Sequence, residues 1–358
     1  MTQTCRLTEC VSRISPVDPA LRATAMAHID VLTKPKGSLG RLEEMAARLF
    51  AVQNGITPLA ADPARIVTVA ADHGVAEEGV STSPPVVTRQ QVRNFIGGGG
   101  GISVLTRTNA IGLQVVDAGV AGEDFAPHPL LVRKKIAPGT ANIAKGPAMT
   151  MAECLAALDL GISLAEEAHG EGIRCLGTGE MGIANTTPST ALFAALYDLD
   201  PAAITGPGTG LSAEGMRHKV AVIKKALDAN RDAVKSNNPV ALLAALGGLE
   251  IATLAGLILG GASLCMPVVI DGFISTAACA MALAIAPHAR DYCFFSHASA
   301  EPGHAAVMAK IGERPLVDLD FRLGEGTGAV FGMVILRSAA AMYNEMATFS
   351  GAGVSEGS

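Results

Sequence analysis

A single carboxylate near the C-terminus stands in a glycine-rich segment that could support acid–base chemistry. Residues 321–330 read Phe-Arg-Leu-Gly-Glu-Gly-Thr-Gly-Ala-Val, with Glu325 between Gly324 and Gly326. Glycines permit positive φ angles and let the backbone approach a ligand closely. Apolar neighbours would raise the pKa of this carboxylate, whereas the N-terminus of the following helix would lower it. That balance suits a general base, although a glycine-rich turn with a solvated glutamate explains the same residues.

A second polar segment follows an apolar stretch, 173–177, that predicts a β-strand. Residues 178–189 read Thr-Gly-Glu-Met-Gly-Ile-Ala-Asn-Thr-Thr-Pro-Ser and lead into an apolar helix. Small residues, hydroxyls and free N–H groups at a helix N-terminus are suited to hold an anion. Because Glu180 cannot itself bind phosphate, we expect it to face a cation or sugar hydroxyls. A carboxylate in a surface loop is an equally open interpretation.

A third glycine-rich loop precedes a helix that carries several basic residues. Residues 206–212 read Gly-Pro-Gly-Thr-Gly-Leu-Ser, and Lys219 lies early in the helix that follows. Most helical lysines are solvated surface charges, but a lysine beside a glycine-rich nest is a reasonable phosphate partner. His73, which follows another predicted strand, has no second and third ligand at metal-like spacing. We therefore expect a structural histidine there and no metal site.

The elements that would position these residues alternate as strand, polar glycine-containing loop and helix. Apolar segments at 66–71, 113–119, 173–177, 268–270 and 292–295 predict strands, and helical patterns lie between them. This order predicts the α/β fold class, with a doubly wound parallel sheet. Since the carboxyl ends of parallel strands share one edge, the loops after them should bring the candidate residues together. These are Asp72, His73, Glu180, Lys219, Asp271, Ser299 and Glu325.

Composition restricts the class of protein further. The chain has 358 residues, a formal net charge of −6 and 17% charged residues, which argues against a nucleic-acid partner. Seven dispersed cysteines without a Cys-x-x-Cys pair suit a reducing, cytoplasmic location.

The apolar region 251–287 is long enough to suggest a membrane span. Its glycine pair, Pro267 and the lack of flanking basic residues instead predict a buried helix, a strand and a second buried helix. The polar residues 350–358 predict a disordered tail.

The motifs of other nucleotide enzymes are missing or incomplete. No Walker A motif and no Gly-x-Ser-x-Gly elbow occurs. The acidic pair that binds magnesium diphosphate in many phosphoribosyltransferases is only faintly matched at 268–276, which lacks the second acid. An NAD(P)-dependent oxidoreductase would need a strand, Gly-x-Gly-x-x-Gly and helix unit, which none of the glycine runs supplies. A non-catalytic nucleotide-binding module remains a second alternative. The residues themselves favour a mostly apolar site for a phosphate-bearing ligand, without a bound cofactor.

Seven short motifs are spread along the chain between about residues 33 and 340. They are Lys-Pro-Lys-Gly-Ser-Leu-Gly-Arg-Leu-Glu at 34–43, Ala-Asp-His-Gly-Val at 71–75, Ser-Pro-x-x-Val-Thr at 83–88, Gly-Thr-Gly-Glu-Met-Gly-Ile-Ala-Asn-Thr-Thr at 177–187, Gly-Pro-Gly-Thr-Gly-Leu at 206–211, His-x-Ser-x-Glu at 297–301 and Arg-Leu-Gly-Glu-Gly-Thr-Gly at 322–328. Together they resemble the nicotinate-nucleotide–dimethylbenzimidazole phosphoribosyltransferase family. One departure is Ala184, where the family usually has glycine.

The resemblance implies a specific reaction. The phosphoribosyl group of nicotinate mononucleotide would pass to 5,6-dimethylbenzimidazole, giving α-ribazole 5′-phosphate, the lower nucleotide of cobalamin, and nicotinate. Glu325 matches the general base of a single inverting displacement. Because nicotinate leaves from a cationic pyridinium, no metal is needed to withdraw electrons.

The resemblance also assigns the remaining site residues and the architecture. Glu180 matches a second catalytic carboxylate near the ribose. The phosphate side is matched by Gly182, Gly208, Lys219 and Ser299, and the aromatic-base pocket by Ser83, Gln91 and Leu323. A homodimer is implied, with a Rossmann-like large domain (55–310) and a small helical domain formed by both chain ends (1–54 and 311–358).

Overall fold

The computed structural model describes residues 3–355 and contains a central parallel sheet. Its strands are β1 (Ala64–Ala71), β2 (Gly112–Gly119), β3 (Leu131–Arg133), β4 (Cys175–Met181), β5 (Val268–Ile270) and β6 (Cys293–Phe295). The spatial order is β3-β2-β1-β4-β5-β6, and every pairing is parallel. This is the strand order of Rossmann-type doubly wound folds, so the predicted fold class is confirmed. A separate parallel pair joins β7 (His297–Ala298) and β8 (Val317–Asp318).

Helices connect and cover these strands. They are α1 (Gln3–Ser12), α2 (Pro19–Ile29), α3 (Arg41–Val52), α4 (Val86–Ile96), α5 (Gly101–Thr108), α6 (Met151–Gly170), α7 (Thr186–Tyr197), α8 (Pro201–Ile204), α9 (Ala213–Ala229), α10 (Arg231–Lys235), α11 (Pro239–Leu246), α12 (Leu249–Ser263), α13 (Phe273–Ile285), α14 (Gly303–Ile311), α15 (Thr327–Glu345) and α16 (Phe349–Ala352). Helices α12 and α13 pack on the sheet, with α6 against α12, and α4, α5 and α15 form a second group against the sheet.

Burial explains why the sequence forms these elements. Strands β1 and β5 are almost wholly buried, as expected for parallel strands covered on both faces, and such strands read as continuous apolar runs. The apolar region 251–287 forms α12, β5 and α13 within the core, as predicted. None of the helices in residues 3–355 is long and apolar enough to cross a membrane.

The chain ends contribute helices that pack beside the sheet. Helix α3 packs against α2 and α15, and α15 also contacts the central strands. The proposed division into a large and a small domain stays a prediction. The prediction of a disordered tail is wrong for α16, whose first turn is capped by Thr348 accepting the Gly351 N–H at 3.0 Å. An antiparallel bridge between Leu32 and Thr348 also holds this end, and residues 356–358 lie outside the described part.

Strands β1 and β4 are adjacent, and at this point the chain order of the sheet reverses. In doubly wound sheets, ligands bind in the crevice at the carboxyl ends of the strands near such a switch point. Asp72 follows β1, Glu180 lies at the end of β4, and Asp271 follows β5. The topology therefore brings three acidic residues, distant in sequence, to one edge of the sheet.

Candidate active site

A cleft of about 360 Å³ opens at the carboxyl ends of β1, β4 and β5. Seven residues expected at the site line it, and these are Ser83, Glu180, Gly182, Gly208, Asp271, Ser299 and Leu323. Lys219 and Glu325 lie directly behind this lining, as their contacts show below. Gln91 is placed differently: it lies on α4 and accepts a hydrogen bond from the Asn94 amide at 3.0 Å, away from the cleft lining. Its expected contact with an aromatic base stays a prediction.

The backbone at Glu325 has an unusual conformation. Gly324, Glu325 and Gly326 have φ angles of 81°, 65° and 101°, all in the left-handed region. Glutamate rarely adopts this region, and such outliers cluster at functional sites. The conformation is held by the Thr68 hydroxyl, which donates to the Glu325 carbonyl at 2.8 Å, and by the Glu325 N–H, which donates to the Glu180 carbonyl at 3.2 Å. The sheet therefore fixes this carboxylate in place.

The Glu325 carboxylate is buried against the N-terminus of α5. Its Oε2 accepts the N–H of Ile102 at 3.0 Å, and the residue is 5% exposed. Burial raises the pKa of Glu325, and the N–H groups of Ile102 and Gly101 act in the opposite direction. We expected the following helix, α15, to supply this stabilisation. The structure corrects that expectation, because the glycine run at 97–101 turns the chain so that α5 faces the carboxylate.

The N-terminus of α15 is instead capped by Asp271. Its Oδ2 accepts the Gly326 N–H at 3.1 Å, and its Oδ1 accepts the Ala329 N–H at 3.0 Å. The residue is 2% exposed, and His297 Nδ1 lies 3.8 Å from Oδ1. Burial raises the pKa of Asp271, whereas His297 and the helix N–H groups lower it. Asp271 thus joins the end of β5 to the segment that carries the candidate base.

Glu180 lies at the end of β4, and the Asn185 side-chain amide donates to its Oε2. Burial, together with the negative charge of Glu250, raises the pKa of Glu180 to about 8, although the Asn185 hydrogen bond acts in the opposite direction. At neutral pH the group therefore carries a proton for most of the time. A protonated carboxyl both donates and accepts hydrogen bonds, which suits contact with sugar hydroxyls.

Replacing Glu180 by glutamine should increase thermal stability at alkaline pH relative to the wild type. The folded pKa of about 8 is above that of an unfolded glutamate. The stability that this group contributes is therefore complete below the unfolded pKa and is lost as the pH rises through the folded one. Glutamine does not ionise, so the difference in Tm should widen between about pH 5 and about pH 8, the range in which only the folded state keeps the proton. Calorimetry of both proteins measures this, and a constant difference would show that Glu180 does not titrate there.

The opposite end of the cleft is suited to an anion. Lys219 is fully buried, and its Nζ donates to Thr186 Oγ1 at 2.7 Å and to the Gly206 carbonyl at 3.2 Å. The pKa of Lys219 is lowered to about 8 because the side chain is buried, although the negative charge of Glu301 acts in the opposite direction. Thr186 begins α7, so a buried ammonium, a helix N-terminus and the loop around Gly208 converge here. Such convergence favours a phosphate group.

Two loops are joined across the mouth of the cleft. The Thr82 hydroxyl donates to the Thr209 carbonyl at 3.1 Å, and the hydroxyls of Ser81 and Thr209 are 3.1 Å apart. Ser83 follows and donates its N–H to Ser81 Oγ at 3.2 Å. Leu323 is 61% exposed and lines this cleft. It also lines a neighbouring cavity of about 460 Å³, together with Phe321 and Thr327. The expected place of the aromatic base beside Leu323 stays a prediction.

Several neighbours of the site were not assigned a role from the sequence. Asn185, Thr186 and Glu301 all occur within motifs, but their contacts depend on folding. His73 lies in the protein interior with its Nε2 2.6 Å from Glu250 Oε1, and its expected structural role stays a prediction. Among the described residues, no group of three or more histidine, cysteine, aspartate or glutamate side chains could hold a metal ion.

Comparisons with known proteins show the family to which the chain belongs. A family model described as phosphoribosyltransferase matches residues 14–354. Two relatives are called nicotinate-nucleotide–dimethylbenzimidazole phosphoribosyltransferase. The one from Nitratidesulfovibrio vulgaris (strain DP4) is 59% identical to this chain over 98% of each chain. The one from Solidesulfovibrio magneticus is 58% identical over 98% of this chain and 99% of the relative. The crystal structure of CobT from Thermus thermophilus superposes with a TM-score of 0.89 at 44% identity, covering 95% of this chain and 100% of that one. The chain is therefore an enzyme that belongs to the nicotinate-nucleotide–dimethylbenzimidazole phosphoribosyltransferase family.

Proposed function

We propose that this enzyme transfers the phosphoribosyl group of nicotinate mononucleotide to 5,6-dimethylbenzimidazole, forming α-ribazole 5′-phosphate and nicotinate. The product is the lower-ligand nucleotide of cobalamin. Family membership and the names of the relatives support the pair of substrates. The cleft is consistent with them, because it has an anion-binding end at Lys219 and a shielded carboxylate, Glu325, at the other.

The observation that carries the mechanism is the buried, conformationally restrained carboxylate of Glu325. One ring nitrogen of the base attacks C1′ of the ribose from the face opposite nicotinate, so the configuration inverts. The C–N bond to nicotinate breaks, and its electron pair neutralises the pyridinium. The proton on the other ring nitrogen of the base passes to Glu325. A carboxylate with a raised pKa is a stronger acceptor for this proton.

Glu180 would act on the sugar rather than on the base. In its protonated form it can donate a hydrogen bond to a ribose hydroxyl while Asn185 holds its other oxygen. The buried acids around it, including Asp271, would also favour positive charge that develops at C1′ as the leaving group departs. Positioning and water exclusion supply the remaining rate enhancement.

The direct test is incubation of the enzyme with nicotinate mononucleotide and 5,6-dimethylbenzimidazole. Chromatography should show equal amounts of nicotinate and a ribosylated base, and NMR should show the α configuration. A β-linked product would contradict the single displacement, and the absence of any product would leave only a nucleotide-binding role. Oxidoreductase activity would require NADH binding, which quenching of its fluorescence detects.

Replacing Lys219 by alanine should raise the KM for the nucleotide by at least tenfold and change the KM for the base much less. The loss of a buried, charge-assisted hydrogen bond to phosphate explains this asymmetry. Steady-state kinetics with each substrate varied in turn measures it. Lys224→Ala is a matched control, because Lys224 lies on the same helix with a side chain that is 59% exposed. Equal increases in both KM values would exclude a phosphate role for Lys219.

The proposal also includes the oligomeric state of the enzyme and its location in the cell. The resemblance to the family implies a homodimer, which light scattering coupled to chromatography would measure. A cytoplasmic location is consistent with the cysteines, since those described between Cys10 and Cys293 are all free thiols.

A further inference from the structure

Two buried charged groups at the anion end of the cleft lack charged hydrogen-bond partners. The Lys219 ammonium donates to two neutral oxygens, Thr186 Oγ1 and the Gly206 carbonyl. The Glu301 carboxylate belongs to a residue that is 6% exposed, and its Oε2 has no hydrogen-bond partner in the described part of the chain. Buried polar groups are nearly always paired, so both groups should be completed by a ligand.

Glu301 and Lys219 both lie against Gly206. Lys219 Nζ lies 3.2 Å from the Gly206 carbonyl oxygen, and a Cβ atom placed on Gly206 would lie only 1.7 Å from Glu301 Oε2. Glu301 also lines the cleft, together with Gly208 and Ser299. A phosphate group held by Lys219 and Gly208 would therefore lie beside the Glu301 carboxylate. This step rests on the proposed function, which places the nucleotide phosphate at this end.

A carboxylate beside a phosphate group creates an electrostatic problem. Above its second pKa of about 6, a phosphate monoester is a dianion, and an ionised Glu301 would repel it. One proton removes the repulsion, because either the phosphate O–H donates to the carboxylate or the carboxyl O–H donates to the phosphate. Both arrangements contain the same number of protons. In either arrangement a strong hydrogen bond joins the phosphate group to the Glu301 carboxyl group, and the Lys219 ammonium balances the remaining negative charge.

We propose that Glu301 shares one proton with the phosphate group of the nucleotide, so that the enzyme binds the phosphate monoester together with a proton taken from solvent. Glu301 thereby becomes a residue that determines which ionic form of the substrate binds. The surroundings are consistent with this role. Burial raises the pKa of Glu301, and Lys219, the Gly208 N–H and Arg322 lower it. Nearby His304 is occupied elsewhere, since its Nδ1 accepts the Ser299 N–H at 3.0 Å.

Isothermal titration calorimetry tests the proposal with nicotinate mononucleotide alone and no acceptor base. The observed enthalpy at about pH 7, measured in buffers of different ionisation enthalpy, gives the number of protons taken up on binding. We expect the wild type to take up close to one proton and Glu301→Gln to take up less than half as much. About pH 7 is chosen because Lys219, with a pKa of about 8, is then mostly protonated before the nucleotide binds.

Two further variants control the measurement. Glu301→Asp retains the carboxylate and should restore most of the uptake. Glu214→Gln removes a charge at the exposed start of α9, close in sequence to the same loop, and should leave the uptake at the wild-type value. Between about pH 7 and about pH 8, where Lys219 is still largely protonated, the nucleotide Kd of the wild type should rise about tenfold, with a smaller rise for Glu301→Gln.

The outcomes are distinct. Equal proton uptake by the wild type and Glu301→Gln, or no uptake by the wild type, would overturn the role of Glu301 while the transferase reaction still proceeds. If Glu301→Gln does not fold, loss of uptake in a folded Glu301→Ala and its retention in Glu301→Asp would support the role. A wild-type enzyme that neither binds nicotinate mononucleotide nor releases nicotinate would contradict the proposed function and this role together.

Discussion

Replacing Glu325 by glutamine should lower kcat by roughly 10²- to 10⁴-fold and leave the affinity for nicotinate mononucleotide close to the wild-type value. Glutamine preserves the size of the side chain and an oxygen that can accept the Ile102 N–H, so the loop and α5 should keep their positions. It cannot take up the proton that the base must lose as the new C–N bond forms. The substitution therefore isolates proton transfer from binding and from folding.

Single-turnover kinetics with saturating substrates, together with nucleotide affinity from calorimetry, separates these effects. Glu345→Gln is the control, because Glu345 is an exposed residue at the far end of α15. It should have wild-type kinetics. Unchanged turnover in Glu325→Gln would remove Glu325 from the chemical step. A large loss of nucleotide affinity would instead indicate a role in substrate binding.

The sheet could be predicted from the sequence because parallel, doubly covered strands produce a strong signal. The expected strand at 268–270 coincides with Val268–Ile270, and the one at 66–71 lies within Ala64–Ala71. Strand β3 was missed. It has three residues at the edge of the sheet, and its burial decreases from Leu131 to an exposed Arg133. The apolar run at 130–132 is only three residues long and is followed directly by three basic residues, 133–135, so its signal is weaker than that of strands covered on both faces.

The candidate site was predictable in composition but not in its contacts. Glycines in the motifs indicated tight loops, but residue type alone did not indicate that Ala184 and Glu325 also have positive φ angles, 75° and 65°. At Ala184, the left-handed backbone gives a physical reason for the glycine that the family usually has there. The hydrogen bond from Ile102 to Glu325 joins residues 223 positions apart. Such a contact follows from the packing of α5 against the sheet and from no local pattern.

Replacing Gly179 by alanine should lower kcat by about 100-fold, although Gly179 has no side chain to take part in the reaction. A Cβ atom at this position on β4 would lie 2.3 Å from the Glu325 carbonyl oxygen and 2.8 Å from Thr68 Oγ1. Both atoms belong to the hydrogen bond that fixes the Glu325 backbone. The loop must therefore move away from the sheet, and a displacement of about 1 Å is enough to misalign a general base.

The Gly179→Ala substitution should also destabilise the fold by about 1–3 kcal/mol, so kinetics must be measured well below its melting temperature. Gly170→Ala is the matched control, because a Cβ atom on Gly170 meets no atom within 4 Å. The double variant Gly179→Ala/Glu325→Gln separates the two explanations. If Gly179→Ala acts by displacing Glu325, the double variant should be little slower than Glu325→Gln alone, since coupled substitutions are not additive. If the two losses multiply, Gly179 affects catalysis by another route, and the sheet does not position the base.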